Sequence, residues 1–196
     1  GANGRVTLDD VRAAADLFAR ARYLVMQFEI PLDTVRGAIT LAREMNLPVI
    51  LNPATAYPLN ADFVQGVHYL VVNETEAQTL TGLPVDSIDA ACVAGDAFRA
   101  MDVPVVIVTL GAQGALLVTE QGAEHVPARA VKVVDTTAAG DAFVGGLTAA
   151  LLEGYTLPDA VRYATCAGTL ATTVLGAQTS LPSREQVQAF YREVQS

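Results

Sequence analysis

Val133-Val134-Asp135-Thr136-Thr137-Ala138-Ala139-Gly140-Asp141-Ala142-Phe143-Val144-Gly145-Gly146-Leu147 is the stretch that decides the fold. It reads as a short apolar strand ending in Val133-Val134, a tight turn of small residues, and an unusually apolar helix. That order aims several free backbone N–H groups at one point, as an anion requires. The turn residues are small enough for a bulky anion to approach the backbone. Asp141 falls in the first helical turn. A carboxylate there is a poor phosphate ligand but a sensible base for an attacking hydroxyl, which is the chemistry of phosphoryl transfer. The same carboxylate also reads as a common first-turn acid favoured by the helix dipole.

Strands and helices alternate on both sides of this motif. A first helix is predicted from the capping sequence Thr7-Leu8-Asp9-Asp10, with Leu8, Val11, Ala15 and Phe18 at helical spacing. Apolar strands are predicted at Tyr23 to Phe28, Pro48 to Asn52, Tyr69 to Val72 and Val105 to Val108, with an antiparallel partner at Leu116 to Val118 turning at Glu120-Gln121-Gly122. Helices are predicted over Asp33 to Met45, Glu74 to Thr81 (closed by Gly82) and Asp86 to Met101, and Pro53 to Asn60 reads as a loop. After the motif come helices over Gly140 to Glu153, Pro158 to about Leu175, and Arg184 to Val194. Most strands are apolar throughout, which implies a mainly parallel sheet buried between helix layers, a three-layer α/β/α sandwich. The whole chain, residues 1–196, is read as a single domain.

Composition narrows the partners. With 52% hydrophobic and 17% charged residues, a substantial core is easily built. A net charge of −9 argues against nucleic acid or an anionic membrane as partner, and a polyphosphate, if one binds, must be held by dipoles and a metal ion and not by a basic patch. Cys92 and Cys166 are far apart in helix-like stretches and read as buried small hydrophobes in a reducing compartment. No signal peptide or membrane-spanning run is legible, and the expected location is cytoplasmic. His68 and His125 have no partner at ligand spacing, so no zinc site is assigned.

Ligands of such sheets gather at the carboxyl ends of the strands, which here carry Glu29, Asn52, Asn73, Thr109–Gly111 and Asp135–Asp141. Asn73 can orient a phosphate or a metal-bound water and Glu76 can hold Mg²⁺ through water, although both also read as a helix cap with a first-turn acid. Thr109-Leu110-Gly111-Ala112-Gln113-Gly114 would let a nucleotide lie against backbone, or is an ordinary turn between strands. It is not a Walker loop. Glu29 suits sugar hydroxyls, or is a surface acid at a loop start. Gly176-Ala177-Gln178-Thr179-Ser180 reads as a glycine helix stop and polar loop.

Together these pieces resemble the ribokinase family of carbohydrate kinases, of the phosphofructokinase-B type. The stretches that carry the resemblance are Gly1-Ala2-Asn3, Met26-Gln27-Phe28-Glu29, Leu51-Asn52-Pro53-Ala54, Asn73-Glu74-Thr75-Glu76-Ala77, Thr109-Leu110-Gly111, Asp135 to Phe143, and Gly176-Ala177-Gln178. The resemblance implies an ATP-dependent kinase acting on D-ribose at the 5-hydroxyl, giving D-ribose 5-phosphate and ADP. Another sugar, a keto-deoxy acid or a nucleoside as acceptor, or a nucleotide-binding fragment without activity of its own, are the alternatives.

The resemblance also implies residue roles. Asp141 would be the general base, and the backbone N–H groups of Ala138, Ala139 and Gly140 the anion hole. Asn73, Thr109, Leu110, Gly111, Ala112, Gln113, Gly114 and Thr165 would line the ATP site together with Gly140 and Asp141, and Glu76 would support Mg²⁺. Glu29 would hydrogen-bond the sugar. Asp135 and Thr137, with carbonyls near Ala171, Val174 and Gly176 and the Ser180 hydroxyl, would hold a monovalent cation, K⁺ being expected. The family's first strand, Gly-Gly sugar-binding segment and β lid precede the point where Gly1 aligns. The chain is therefore expected to be the C-terminal two-thirds of such a kinase, with the homodimer contact of the lid outside it.

Overall fold

The computed structural model describes residues 1–54 and 61–195. Its backbone is an α/β fold built on a six-stranded sheet of order β1-β2-β3-β4-β5-β6. The strands are β1 (Leu24–Gln27), β2 (Val49–Asn52), β3 (Tyr69–Asn73), β4 (Val105–Thr109), β5 (Ala115–Thr119) and β6 (Gly122–Val126). β1 runs parallel to β2 with Leu24 opposite Val49, and β2 parallel to β3 with Ile50 opposite Tyr69. The sheet is mostly parallel, as the unbroken apolar runs require. Val49, Ile50, Leu51, Leu70, Val72, Val106, Ile107 and Val108 are fully buried, which only strands covered on both faces can achieve. β5 and β6 are joined by two residues, a link short enough only for antiparallel neighbours.

Two compact units can be distinguished, Gly1–Val108 with Val118–Ala123, and Thr109–Leu117 with Glu124–Ser196. In the first unit, helices α1 (Leu8–Ala13), α2 (Ala15–Phe18), α3 (Leu32–Glu44), α4 (Ala61–Val64), α5 (Glu74–Thr81) and α6 (Ile88–Arg99) follow in order. α3 turns Val35, Ala38, Ile39 and Ala42 inward at helical spacing. The Asn52 side chain donates from Nδ2 to Val71 O (2.9 Å), tying the carboxyl ends of β2 and β3 together. α6 starts at a Ser87 cap and lies so close to β5 that a Cβ on Gly95 would meet Val118 Cγ2 at 2.6 Å. The first helix is in fact two pieces, because Ala14 leaves helical geometry (φ −94°, ψ 10°). Neither piece buries a residue, so packing does not enforce continuity. The loop expected at Pro53 to Asn60 lies, from position 55 on, outside the described residues.

The second unit is carried by α7 (Ala139–Leu152), α8 (Leu157–Ala171) and α9 (Arg184–Gln195). α7 and α8 meet through small residues: a Cβ on Gly146 would stand 2.8 Å from Ala167 Cβ and 3.2 Å from Ala164 Cα. α9 is clamped by Tyr191, whose ring packs on Tyr155 and Tyr163 at centroid distances of 5.9 and 5.6 Å. Burial pushes the Cys166 thiol up to about 11, as expected of an inert core cysteine, while Cys92 is only half-buried.

Two sequence expectations fail here, and both failures shape the site. Val133 and Val134 belong to no strand and are 57% and 53% exposed. Val134 N and Asp135 N both donate to Thr172 O, at 2.8 and 3.2 Å, so this segment is bonded to the end of a helix and not to a sheet. α8 stops at Ala171, short of Leu175. Thr172 and Thr173 turn their hydroxyls back onto Thr169 O and Leu170 O (both 2.7 Å), capturing carbonyls the helix needs to continue. Gly176 is thus not the helix stop, and Thr172 O is released to hold residues 134 and 135.

Candidate active site

Asp135 organises the loop before α7. Its Oδ1 accepts from Thr137 N–H (2.9 Å) and from the Thr137 hydroxyl (2.7 Å), while Oδ2 accepts from Gly176 N–H (2.9 Å). The Thr137 hydroxyl, the Thr137 N–H and the Gly176 N–H hold its carboxyl below the usual carboxylate range. One side chain therefore joins residues 135–137 to Gly176, whose φ of +95° is one that glycine adopts freely.

Beyond this fork the backbone reverses through Ala138 in the left-handed region (φ 61°, ψ 10°) and enters α7, with no side chain capping the helix. Ala139 N–H donates to Thr136 O (3.2 Å). The N–H groups of Ala138, Gly140 and Asp141 have no acceptor among the described residues. The Asp141 carboxylate is exposed and has no hydrogen-bond partner among them either. Uncapped amides and an unengaged carboxylate thus share the first turn of one helix. The sequence reading included the Ala139 amide, which is partly engaged, and overlooked that of Asp141 itself.

The residues read as a cation site lie along the same loops. Thr137 O and Val174 O accept no hydrogen bond among the described residues, and Ala171 O only a long one of 3.5 Å from Val174 N–H. Gly176 O accepts from Ser180 N–H (3.2 Å), and the buried Ser180 hydroxyl donates to Ala177 O (3.1 Å). Under-used carbonyls beside a carboxylate are hard oxygen donors, the set a monovalent metal cation takes. Thr165 is buried in α8, with its hydroxyl bonded to Val161 O (2.9 Å).

The stretch Thr109–Gly114 forms a tight turn between β4 and β5. Leu110 N–H donates to Gly114 O (2.8 Å) and Gln113 N–H to Leu110 O (3.0 Å). Leu110 is buried, whereas Gly111, Ala112 and Gln113 are exposed.

In the first unit, Asn73 and Glu76 form a reciprocal cap on α5: Asn73 Oδ1 accepts from Glu76 N–H (2.8 Å), and Glu76 Oε2 from Asn73 N–H (2.9 Å). Burial pushes the Glu76 carboxyl up, opposed by these hydrogen bonds from Asn73. The capping reading of this pair is therefore realised, and the Asn73 Nδ2 group makes no hydrogen bond among the described residues. Asn73→Ala is expected to cost about 1 kcal/mol, read as a lower midpoint in urea unfolding. Glu29 is exposed just past β1. Among the described residues no three His, Cys, Asp or Glu side chains converge on a metal position. No helix among them is long and apolar enough to cross a membrane.

The model of the pfkB family carbohydrate kinases matches residues 1–184. The chain belongs to that family. Ribokinase of Haemophilus influenzae is 35% identical over 190 residues, covering 97% of this chain and 62% of that protein. Deoxyribokinase of Salmonella typhi is likewise 35% identical, over 191 residues, with 97% and 62% covered. Among solved structures, Arabidopsis thaliana ribokinase complexed with ribose and ATP superposes with a TM-score of 0.89 at 28% identity, over 98% of this chain and 63% of that one. This pfkB-family chain thus spans about 62% of the length of the curated relatives it matches. Its α/β fold, with a mostly parallel sheet, is that of the family.

Proposed function

We propose that this chain forms, as a single kinase domain, the nucleotide and catalytic part of a cytoplasmic, ATP-dependent sugar kinase acting on the 5-hydroxyl of D-ribose. The observation that carries this reading is the first turn of α7, where the unengaged Asp141 carboxylate sits beside amides without acceptors. Asp141 takes the proton of the sugar hydroxyl as its oxygen attacks the γ-phosphorus. The bond from that phosphorus to the β–γ bridging oxygen breaks, and ADP leaves with the electron pair. Amides of Ala138, Gly140 and Asp141, with the partly engaged Ala139, meet the negative charge of the transferring group.

The other assignments follow from the residues described. The Thr109–Gly114 turn, Asn73 and Thr165 line the nucleotide site, and Glu29 binds the sugar. Glu76 would support Mg²⁺ through water, the ion offsetting charge on the nucleotide phosphates. Asp135, Thr137, Ala171, Val174, Gly176 and Ser180 hold a monovalent cation, K⁺, whose charge steadies the loop ahead of the amides. A second acceptor, 2-deoxy-D-ribose, is favoured by one observation: the deoxyribokinase relative is as similar as the ribokinase.

The test is ADP release with MgATP and either sugar, in K⁺ or Na⁺. Turnover with D-ribose that rises in K⁺ supports the reading, and faster turnover with 2-deoxy-D-ribose moves it to the second acceptor. Asp135→Ala is expected to abolish the K⁺ stimulation and lower kcat by ~10-fold or more, since a displaced loop misplaces the reacting groups. A variant still stimulated by K⁺ rules out Asp135 as part of the cation site. The Asp135 fork needs an ionised carboxylate. With its pKa below the unfolded value, its contribution is complete above the ordinary carboxylate range and is lost as pH falls through the lowered value. The K⁺ effect should therefore not vary with pH near neutrality on account of Asp135.

A further inference from the structure

We infer that His125, on β6, is a positioning residue that holds the Gly111–Gly114 turn in place for the nucleotide, an inference that rests on the reading of that turn as part of the ATP site. His125 Nε2 lies 2.7 Å from Gln113 O. A carbonyl oxygen can only accept, so Nε2 carries the hydrogen, in the neutral ring or in the imidazolium alike.

The turn has few other restraints. Gly111 and Ala112 have no side-chain polar atoms, and the Gln113 side chain makes no hydrogen bond among the described residues. The His125 imidazole is the one side chain among the described residues that hydrogen-bonds the backbone of residues 111–114. The next residue of β6 adds a second hold, because Gly114 packs directly on the backbone of Val126. Consecutive residues of one strand thus grip consecutive residues of the turn, His125 through its ring and Val126 through its main chain. His125 is exposed, so its removal leaves no cavity in the core. It should loosen the turn without unfolding the unit. His125 carried no signal in the sequence because its partner is a backbone atom twelve residues away.

The experiment compares the chain as it exists with His125→Ala and His125→Gln, by calorimetric MgATP binding, amide hydrogen exchange and thermal unfolding. His125→Ala is expected to weaken MgATP binding by about 3- to 10-fold, the range of one hydrogen bond, and to speed exchange at residues 111–114. His125→Gln, which still presents an N–H donor, should recover most of the affinity. Unfolding midpoints should agree within about 2 °C, no more than ~1 kcal/mol for a chain of this size. Wild-type binding matched by His125→Ala overturns the inference and leaves the kinase reading standing. So does a loss of affinity that follows a fall in midpoint and is not recovered by glutamine. A wild-type chain that binds no MgATP overturns the kinase reading and this inference with it, while exchange in His125→Ala still reports whether the ring holds the turn.

Discussion

Asp141→Asn is expected to lower kcat for phosphoryl transfer by at least ~10²-fold, the range of general-base contributions, while MgATP affinity stays within about twofold. Asparagine has nearly the same shape, so the first turn of α7 and its uncapped amides persist. What disappears is the capacity to accept a proton, which the unengaged Asp141 carboxylate retains in the native chain. Loss of the negative charge beside the phosphates acts in the opposite direction on binding, so weaker nucleotide affinity is not expected. Initial-rate kinetics with saturating sugar, paired with calorimetric MgATP binding, measure both quantities. Turnover equal to wild type would remove Asp141 as the base. A parallel fall in affinity and rate would make it a binding residue instead.

Gly114→Ala should produce the largest loss of stability, at least ~3 kcal/mol, because two separate costs add. Gly114 has φ 97° and ψ −126°, a region closed to residues with a side chain, and forcing one there costs about 1–3 kcal/mol. The added Cβ would also stand 2.6 Å from Ala128 N and 2.8 Å from Pro127 C, besides meeting Val126 O. These are main-chain atoms that cannot rotate aside, and overpacking of this kind costs about 1–3 kcal/mol more. For a chain of this length the thermal midpoint should fall by about 6–12 °C. Scanning calorimetry decides it: a shift below about 2 °C would mean that the turn and β6 separate easily. That result would also weaken the role given to His125, which grips the same turn.

The contrast between these two positions shows what was legible before any coordinates. The reading of Asp141 needed only a small-residue turn, a helix start and a carboxylate within a few consecutive residues, the pattern that phosphoryl transfer uses. Gly114 was readable only as a turn glycine, since the atoms that forbid a side chain lie at the end of β6 and in the two residues after it. The same division holds elsewhere. The apolar runs of β2, β3 and β4 were enough for a mostly parallel sheet, because burial on both faces leaves no polar alternation. The Asn73–Glu76 pair was open between a cap and a ligand set, since both readings need the same residues at the same spacing.

Local sequence alone determined most of the order of strands and helices and the kind of sheet, and it held the Asp135–Asp141 motif on which the proposed chemistry rests. Each of these depends on neighbours within one turn or one strand. Tertiary structure alone decided that Val133-Val134 is no strand and that Asp135 is forked between Thr137 and Gly176. The reason is common to both. Thr172 O and Gly176 N–H are backbone groups, identical in chemistry at every residue, and only the folded path brings them to residues 134 and 135.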